Sequence, residues 1–235
     1  MADRFGNVVC LGERDCSLQR RHQKMIEESP CAVLPEDVRK KMYKAACSAV
    51  QAAKYTGVGT VEFLFDPASK NFYFMEMNTR LQVEHPVTEM VWGIDLVAAQ
   101  IRVALGEKLP WKQSELQPRG HAIEIRVNAE DPARDFAPCP GRVDFFHVPG
   151  GPGVRVDSHL YEGYVVPPYY DSLLAKVIVH GDTRELARRR AIFALKELTI
   201  DGVTTTSDFA CALLENEKFV QGDFHTGTLQ ELLQQ

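Results

Sequence analysis

Polar and apolar residues alternate from Phe72 to Glu84, and this period of two is the strongest constraint on the fold of the chain. The segment reads FYFMEMNTRLQVE, and every second residue of its later part is polar: Glu76, Asn78, Arg80, Gln82 and Glu84. Successive side chains of an extended strand point to opposite faces, so these five would share one face. Tyr73, Met75 and Met77 would then point into a core. The pattern predicts a strand that carries a functional site on its polar face.

A second alternating segment, residues 61–65, precedes this strand, and the turn-rich sequence DPASKN at 66–71 separates the two. This arrangement predicts a β-hairpin. In the register that matches the apolar faces, Glu62 lies opposite Glu76, and like charges directly opposite destabilise a sheet unless something neutralises them. Mg²⁺ or Mn²⁺ would do so, with the Asn78 carbonyl as a further hard donor. The residues alone leave a solvated acidic sheet face open as the alternative.

Composition limits the class of protein. A chain of 235 residues with 45% hydrophobic and 25% charged residues is typical of a globular protein with one large or two modest domains. The net charge of −5 gives no basic footprint for nucleic acid, and no apolar run reaches the ~18 residues of a membrane span. Six cysteines without a CxxC pair predict buried, reduced thiols. With no secretory leader, the sequence predicts a cytoplasmic protein without nucleic-acid or membrane partners.

The remaining pattern predicts a chain of the α+β class. Predicted helices are 35–55, 95–105 and 183–198, and further predicted strands are 8–11, 123–127, 142–147, 154–157 and 173–180. The charged residues 13–24 are interpreted as a loop that attracts anions. The sequence PGGPG at 149–153 lacks the Lys and Ser/Thr of a phosphate-binding loop, so it predicts a turn. Residues 108–119 (KLPWKQSELQPR) lack periodicity and indicate a boundary between two units.

Three long segments resemble biotin carboxylase, the ATP-dependent component of acetyl-CoA carboxylase. They are ERDCSLQRRHQK at 13–24, EMNTRLQVEHPVTEM at 76–90 and GHAIEIRVNAEDP at 120–132. They occur in the family's order, and the similarity extends over essentially the whole chain, including VVPPYYDSLLAK at 165–176. The resemblance implies the C-terminal half of an ATP-grasp domain at 1–112, followed by a sheet-rich biotin carboxylase C-terminal domain at 118–235.

The resemblance also implies the reaction. The chain would take part in ATP- and bicarbonate-dependent carboxylation of biotin on a carrier protein, which is the first half-reaction of acetyl-CoA carboxylase in fatty acid synthesis. Glu62 and Glu76 would hold Mg²⁺ or Mn²⁺ on the phosphates of ATP, assisted by Asn78. The other matching nucleotide contacts are Gln19, His22 and Leu64.

Bicarbonate and biotin have their own matching residues. The resemblance implies that bicarbonate is held by Lys24, Arg80, Gln82 and the backbone N–H of Val83. Glu84 would be the general base that removes the bicarbonate proton, a role worth ~10²- to 10⁴-fold in rate. Arg126 would stabilise the negative oxygen that develops on the ureido group of biotin. Asp171 lies in a matching segment, but the resemblance gives it no role.

The resemblance implies three partners, namely a biotin carboxyl carrier protein, carboxyltransferase subunits and a second copy of the chain in the full-length enzyme. Arg155 matches a region that contacts the second subunit, although Pro152 replaces the aromatic residue expected nearby. The sequence contains no glycine-rich lid and no preceding α/β domain, so we expect a truncated chain with little activity alone. Two alternatives stay open: another ATP-grasp ligase, and a non-catalytic dimerisation or assembly module.

Overall fold

The computed structural model describes residues 1–234, which form two compact units of mixed helix and strand. Unit 1 comprises Met1–Arg14 and Ser29–Arg119, and unit 2 comprises Asp15–Glu28 and the chain from Gly120 onward. The strands are β1 (Asp15–Arg20), β2 (Gln23–Ser29), β3 (Thr60–Asp66), β4 (Asn71–Asn78), β5 (His121–Asn128), β6 (Glu130–Asp131), β7 (Ala137–Pro138), β8 (Gly141–Arg142), β9 (Phe145–His147), β10 (Val154–Ser158), β11 (Val165–Val166), β12 (Leu173–Gly181) and β13 (Thr199–Asp201). The helices are α1 (Glu36–Ala52), α2 (His85–Trp92), α3 (Leu96–Ala104), α4 (Arg184–Glu197), α5 (Ser207–Glu215), α6 (Glu217–Gln221) and α7 (Thr228–Leu232).

Two helices of unit 1 confirm the sequence prediction. Helix α1 follows Pro35, whose fixed φ of −62° suits the residue just before a helix, and it buries Val38 and Val50. Helix α3 starts after Asp95, whose carboxylate accepts a hydrogen bond of 2.7 Å from the backbone N–H of Ala98. The chain leaves α3 through Gly106, at a φ of +91° that glycine adopts without strain.

Strands β3 and β4 form the predicted hairpin in the predicted register, with Glu62 directly opposite Glu76. The prediction fails in its extent, because β4 ends at Asn78 and does not continue to Glu84. Asn78 pairs with Thr60, the first residue of β3, so a longer strand would have no partner. The chain instead turns and enters α2, which has Pro86 in its first turn.

The apolar face of this hairpin is also different from the prediction. Tyr73 and Met75 are 58% and 52% exposed, so the interpretation that they point into a core is wrong. An irregularity after Glu62 shifts the pleat and pairs Phe63 with Phe74. The ring of Phe63 contacts those of Phe72 and Phe74 edge-on, and a sheet of two strands gives these side chains little else to pack against.

Unit 2 is built on a five-stranded sheet in the order β1, β2, β5, β12, β10. Its two central strands β5 and β12 run antiparallel, and Ile123, Ile125, Val177 and Val179 are fully buried. Helix α4 covers this sheet with a face that includes Ala187, Ala191, Ala194 and Leu195. The predicted helix at 183–198 is confirmed, with Thr183 capping it through a hydrogen bond from the N–H of Leu186.

Three predictions about the strands were wrong. The charged residues 13–24 are not a loop, because β1 and β2 form a hairpin whose turn residues Arg21 and His22 both have positive φ. Residues 8–11 are not a strand, since Val8 forms only an isolated bridge with Ala2. The predicted strand 142–147 is divided into β8 and β9, which pair with different partners, β11 and β13.

No helix within residues 1–234 combines the length and the apolar character needed to cross a membrane. None of the six cysteines in this part of the chain is joined in a disulfide. Only Cys211 is buried and the other five are half-buried, so the prediction of buried thiols was wrong for most of them.

Candidate active site

The acidic pair of unit 1 converges on a single amide group. The side-chain nitrogen of Asn78 donates to Glu62 Oε1 at 3.1 Å and to Glu76 Oε1 at 2.9 Å. An amide NH₂ offers two donors, so one asparagine can bridge two carboxylates that lie opposite each other in a sheet. The structure therefore brings together the three residues that were predicted to hold a metal ion, and Asn78 reduces the repulsion that their register creates.

Gln82 joins the same cluster although it lies beyond the strand. Its Nε2 donates to Glu62 Oε1 at 2.7 Å, and its Oε1 accepts from Arg14 Nη2 at 2.6 Å. Arg14 also donates to the hydroxyls of Thr60 and Thr88, each at 3.0 Å. The alternation predicted that Gln82 lies on the same strand face as Glu76. Gln82 does lie near Glu62, but it is placed there by the turn after β4 and by its contact with Arg14. The sequence analysis placed Arg14 only within the anion-attracting segment 13–24, although its place in the matching ERD sequence was a signal.

Replacing Arg14 with lysine is expected to destabilise unit 1 by about 1–3 kcal/mol, because one ammonium cannot reproduce a guanidinium fork that reaches three partners. The free energy of unfolding in urea can be followed by the fluorescence of Trp92 and Trp111, which both lie in unit 1. Arg102→Lys is the matched control, since the pair of Arg102 with Glu107 is about half exposed and should be worth ~0–1 kcal/mol. Equal losses in both variants would refute a special role for Arg14.

Glu84 lies at the start of α2 and is buried, with 2% of its surface exposed. The next residue, His85, has its Nδ1 2.8 Å from the carbonyl oxygen of Gln82, which holds the turn together. Glu89, one turn further on, accepts a 2.7 Å hydrogen bond from the backbone N–H of Leu96 and so has a structural task. The remaining predicted residues of this unit, Arg80, Val83 and Leu64, are exposed.

The predicted site residues of unit 2 lie on the β1–β2 hairpin and on β5. Gln19 and Lys24 are paired across the hairpin, and His22 is exposed in its turn. Arg126 lies on β5, where its Nε and Nη2 contact the same oxygen, Glu27 Oε1, at 2.7 and 2.6 Å. Glu27 is fully buried, so it fixes the position of the guanidinium group.

A second buried carboxylate of β2 has a similar arrangement. Glu28 Oε2 lies 2.9 Å from His121 Nε2 and 2.8 Å from Arg184 Nε. Arg184 also donates to the carbonyl oxygens of Phe219 and Val220. The hairpin of residues 15–28 therefore supplies the acidic partners for basic residues of β5 and α4.

Two further residues discussed in the sequence have structural contacts. Arg155 donates from Nε and Nη2 to the two oxygens of Asp157 at 2.8 and 2.9 Å. Burial opposes ionisation of Asp157, but the bonds and charge of Arg155 hold its pKa below the ordinary value. Asp171 accepts a 2.9 Å bond from the N–H of Leu173, which gives it a place in a turn.

The donor set at the acidic pair suits magnesium. Among residues 1–234 no group of three or more His, Cys, Asp or Glu side chains is arranged to hold a metal ion. Mg²⁺ commonly uses one or two carboxylates and leaves its other positions to water and substrate phosphates. Glu62 and Glu76 supply the two carboxylates of this description, whereas Asn78 directs its NH₂ group, and not the predicted carbonyl oxygen, toward them. The roles of the site residues remain predictions.

Comparisons with known proteins cover both units. Residues 1–112 match the family model described as the ATP binding domain of the carbamoyl-phosphate synthase L chain, and residues 124–231 match the biotin carboxylase C-terminal domain. The chain is 56% identical over 232 residues to the biotin carboxylase of Nostoc sp., covering 99% of this chain and 52% of the relative. It is 54% identical to biotin carboxylase 1 of Bacillus subtilis, covering 98% and 51%. A pyruvate carboxylase component of Methanothermobacter thermautotrophicus is 51% identical, with coverage of 98% and 47%.

A solved structure gives the same result. The biotin carboxylase domain of the Hydrogenobacter thermophilus 2-oxoglutarate carboxylase, a dimer in complex with MgADP, ADP and bicarbonate, superposes with a TM-score of 0.96 at 44% identity. The match covers 98% of this chain and 51% of that one. The chain thus spans about half the length of the relatives that it matches.

Proposed function

The chain belongs to the biotin carboxylase family, and we propose that it contributes to the ATP- and bicarbonate-dependent carboxylation of biotin on a carrier protein. Because it spans about half the length of its relatives, the proposal concerns this sequence in the context of a full-length enzyme. The observation that carries the proposal is the pair Glu62 and Glu76 bridged by Asn78, within a segment that matches the family.

The chemistry explains why such a pair is needed. Bicarbonate is a poor electrophile, and its attack on the γ-phosphate of ATP gives a reactive carboxyphosphate that releases CO₂ beside biotin. Magnesium held by Glu62 and Glu76 would neutralise charge on the phosphates of ATP. Manganese, an oxygen-seeking ion of the same charge, would serve equally in this proposal. Positioning and charge neutralisation then supply most of the catalysis.

Other residues act on bicarbonate and biotin in this proposal. Arg80, whose planar guanidinium can bind two oxygens, would hold bicarbonate together with Lys24, Gln82 and the N–H of Val83. Glu84 would take the bicarbonate proton. Arg126, held by Glu27, would stabilise the developing charge on the ureido oxygen. Gln19, His22 and Leu64 would contact the nucleotide.

The proposal extends to the wider context of the reaction. Acetyl-CoA carboxylation in fatty acid synthesis is the proposed overall reaction, with a carrier protein and carboxyltransferase subunits as partners and the cytoplasm as the location. The similarity to pyruvate and 2-oxoglutarate carboxylases makes the final acceptor the point to test. Homodimerisation is proposed from the dimeric relative.

A chimaera tests the function directly. In it, this chain replaces the matching 232 residues of the Nostoc relative. We expect bicarbonate- and biotin-dependent ATP hydrolysis by the chimaera, and little or none by the 235-residue chain alone. A folded chimaera without biotin-dependent activity would contradict the proposal. ATP hydrolysis stimulated by another acceptor would favour a different ATP-grasp ligase. A dimer that lacks any ATPase activity would favour the assembly module.

Magnesium dependence provides a sharper test of the acidic pair. In the chimaera, Glu62→Gln should raise the Mg²⁺ concentration needed for half-maximal activity by at least ~10- to 100-fold. This is the loss of metal affinity that follows when a residue supporting a metal ligand is mutated, and a ligand itself should matter at least as much. Asp66→Asn is the control, because Asp66 is exposed on the same hairpin at the end away from the pair and serves only a turn. Unchanged magnesium dependence in Glu62→Gln would remove the metal role.

A further inference from the structure

We propose that Arg14 is a positioning residue for the acidic pair, and that it acts through the side-chain amide of Gln82. The inference rests on the proposed metal role of Glu62 and Glu76, and it adds a residue that is assigned no contact with metal or substrate. Arg14, Gln82 and the acidic pair all belong to unit 1, so the arrangement lies inside one compact unit.

Arg14 fixes the direction in which the Gln82 amide faces. A guanidinium group has donors only, so the group that receives the 2.6 Å hydrogen bond from Arg14 Nη2 is the amide oxygen of Gln82. The NH₂ group of Gln82 is thereby turned to the other side, where it donates to Glu62 Oε1 at 2.7 Å. The reverse orientation would place NH₂ against the guanidinium group and the amide oxygen against the carboxylate. Charge therefore excludes it at both ends of the amide.

The two hydrogen bonds of this amide strengthen each other, because a cation lies at one end and an anion at the other. Hydrogen bonds to charged groups are shorter and stronger than neutral ones, and bonds in series polarise one another. The distances of 2.6 and 2.7 Å fit this description. Asn78 donates to Glu62 and Glu76 over the longer distances of 3.1 and 2.9 Å. Gln82 therefore makes the closer of the two amide contacts to Glu62.

Arg14 can hold Gln82 because Arg14 is itself held. Its Nη1 donates to the hydroxyl of Thr88, a buried residue of α2, and its Nη2 also donates to the hydroxyl of Thr60, each at 3.0 Å. Thr60 lies opposite Asn78 in the β3–β4 hairpin. The guanidinium group thus connects the turn that carries Gln82 with both the hairpin and α2.

The position of Glu62 matters for metal affinity. Without the hydrogen bond from Arg14, the Gln82 amide is able to turn and present its oxygen to Glu62. An oxygen that faces a carboxylate repels it, so Glu62 would lose its fixed position. Groups that orient a metal ligand are typically worth ~10- to 100-fold in affinity. We expect an effect of about tenfold for Arg14, at the low end of this range, because it acts through Gln82 and because Asn78 also contacts Glu62.

The orientation of the amide can be measured without metal. In ¹⁵N–¹H spectra of the 235-residue chain, the side-chain NH₂ signals of Gln82 are those that disappear in Gln82→Met. One of these two protons should exchange slowly with solvent, because it is bonded to Glu62. Arg14→Met should remove this protection, whereas Thr88→Val should keep it. Thr88→Val is the matched control, since it removes a buried partner of Arg14 and leaves the bond from Arg14 to Gln82 in place.

Metal affinity is measured in the chimaera with Mn²⁺ as the probe. Binding is followed by water proton relaxation with saturating ADP and without bicarbonate, so that the proposed bicarbonate contact of Gln82 does not contribute. We expect Arg14→Met to raise the apparent Kd for Mn²⁺ about tenfold, and Thr88→Val to leave it nearly unchanged. Gln82→Met covers the case in which Arg14→Met folds poorly. It removes the bond to Glu62 but leaves the contacts of Arg14 with Thr60 and Thr88, and it should also raise the Kd about tenfold.

The proposal is overturned if Gln82→Met or a folded Arg14→Met binds Mn²⁺ as tightly as the unaltered chimaera, or if Thr88→Val loses as much affinity as Arg14→Met. It is also overturned if the Gln82 amide keeps its protection in Arg14→Met. Glu62→Gln, measured alongside, separates this proposal from the proposed function. An unchanged Kd in Glu62→Gln refutes the metal role itself. A raised Kd in Glu62→Gln, with an unchanged Kd in Arg14→Met and Gln82→Met, refutes only the positioning role.

Discussion

Replacing Glu84 with glutamine in the chimaera is expected to lower kcat for biotin carboxylation by about 10²- to 10⁴-fold. Glutamine keeps the size of the side chain but cannot accept the bicarbonate proton. Glu84 is buried at the start of α2, where a neutral isostere should disturb the fold little. The measurements are steady-state kinetics with ATP, bicarbonate and biotin, and MgATP affinity, which should stay within a few-fold because Glu84 is not assigned to the nucleotide.

Glu89→Gln is the matched control for this experiment. Glu89 is also buried and lies on the same helix, but it accepts a hydrogen bond from the N–H of Leu96, which glutamine can accept as well. Its kcat should be nearly unchanged. Equal kcat losses in the two variants would mean that any buried carboxylate of α2 matters structurally, and the general-base role of Glu84 would then have to be abandoned. The pH profile separates the cases further, since the acid limb of kcat/KM should be lost only in Glu84→Gln.

Removing Glu27 should have the largest effect on stability. Glu27→Ala leaves the guanidinium of Arg126, itself 17% exposed, without its carboxylate, and breaking a buried ion pair in this way costs roughly 3–5 kcal/mol. The loss should be localised in unit 2. Hydrogen exchange of the central amides of β5 and β12 should accelerate by about 10²- to 10⁴-fold, while exchange in the β3–β4 hairpin should not change.

Glu185→Ala is the control for burial. Glu185 binds Arg188 and Arg189 at the surface of α4, and these hydrogen bonds lower its pKa to about 2. A carboxyl group whose pKa is lowered on folding stabilises the folded state at pH values above its ordinary pKa. This stabilisation is lost as the pH falls toward about 2. Solvent screening nevertheless limits such a pair to ~0–1 kcal/mol at neutral pH. If Glu185→Ala were as damaging as Glu27→Ala, the count of contacts rather than their burial would decide stability in unit 2.

Local signals gave reliable predictions, and longer-range arrangements did not. Pro35, Asp95 and Thr183 mark helix starts because their backbone or side chain suits that position in isolation. The register of Glu62 with Glu76 was predicted from the alternation, but the turn alone would place Met75 opposite Glu62, and the irregularity after Glu62 brings Glu76 there instead. The end of β4 could not be predicted in this way, because it depends on where its partner strand β3 begins. The role of Arg14 required knowledge of three residues distant in sequence.

The site was predictable to a different degree in each unit. Spacing alone suggested the acidic pair, but the assignment of Glu84, Lys24 and Arg126 came from the resemblance. Periodicity did not predict the contact between Arg126 and Glu27. The two residues lie on different strands, β5 and β2, which are separated in sequence by residues 29–119 of unit 1. Buried ion pairs between distant strands are a property of the sheet order, which no local pattern encodes.

The hairpin of residues 15–28 has a consequence for dissecting the gene. Because it belongs to unit 2 while its flanking sequence belongs to unit 1, the polypeptide passes between the units at three places rather than one. A recombinant piece that starts at Gly120 would lack two strands of a five-stranded sheet and leave β5 as an open, aggregation-prone margin. It would also carry Arg126, His121 and Arg184 without their carboxylates. Expression of unit 2 alone therefore requires that residues 15–28 be joined to it, by circular permutation or by grafting the hairpin through a linker. Truncation at residue 120 is not sufficient.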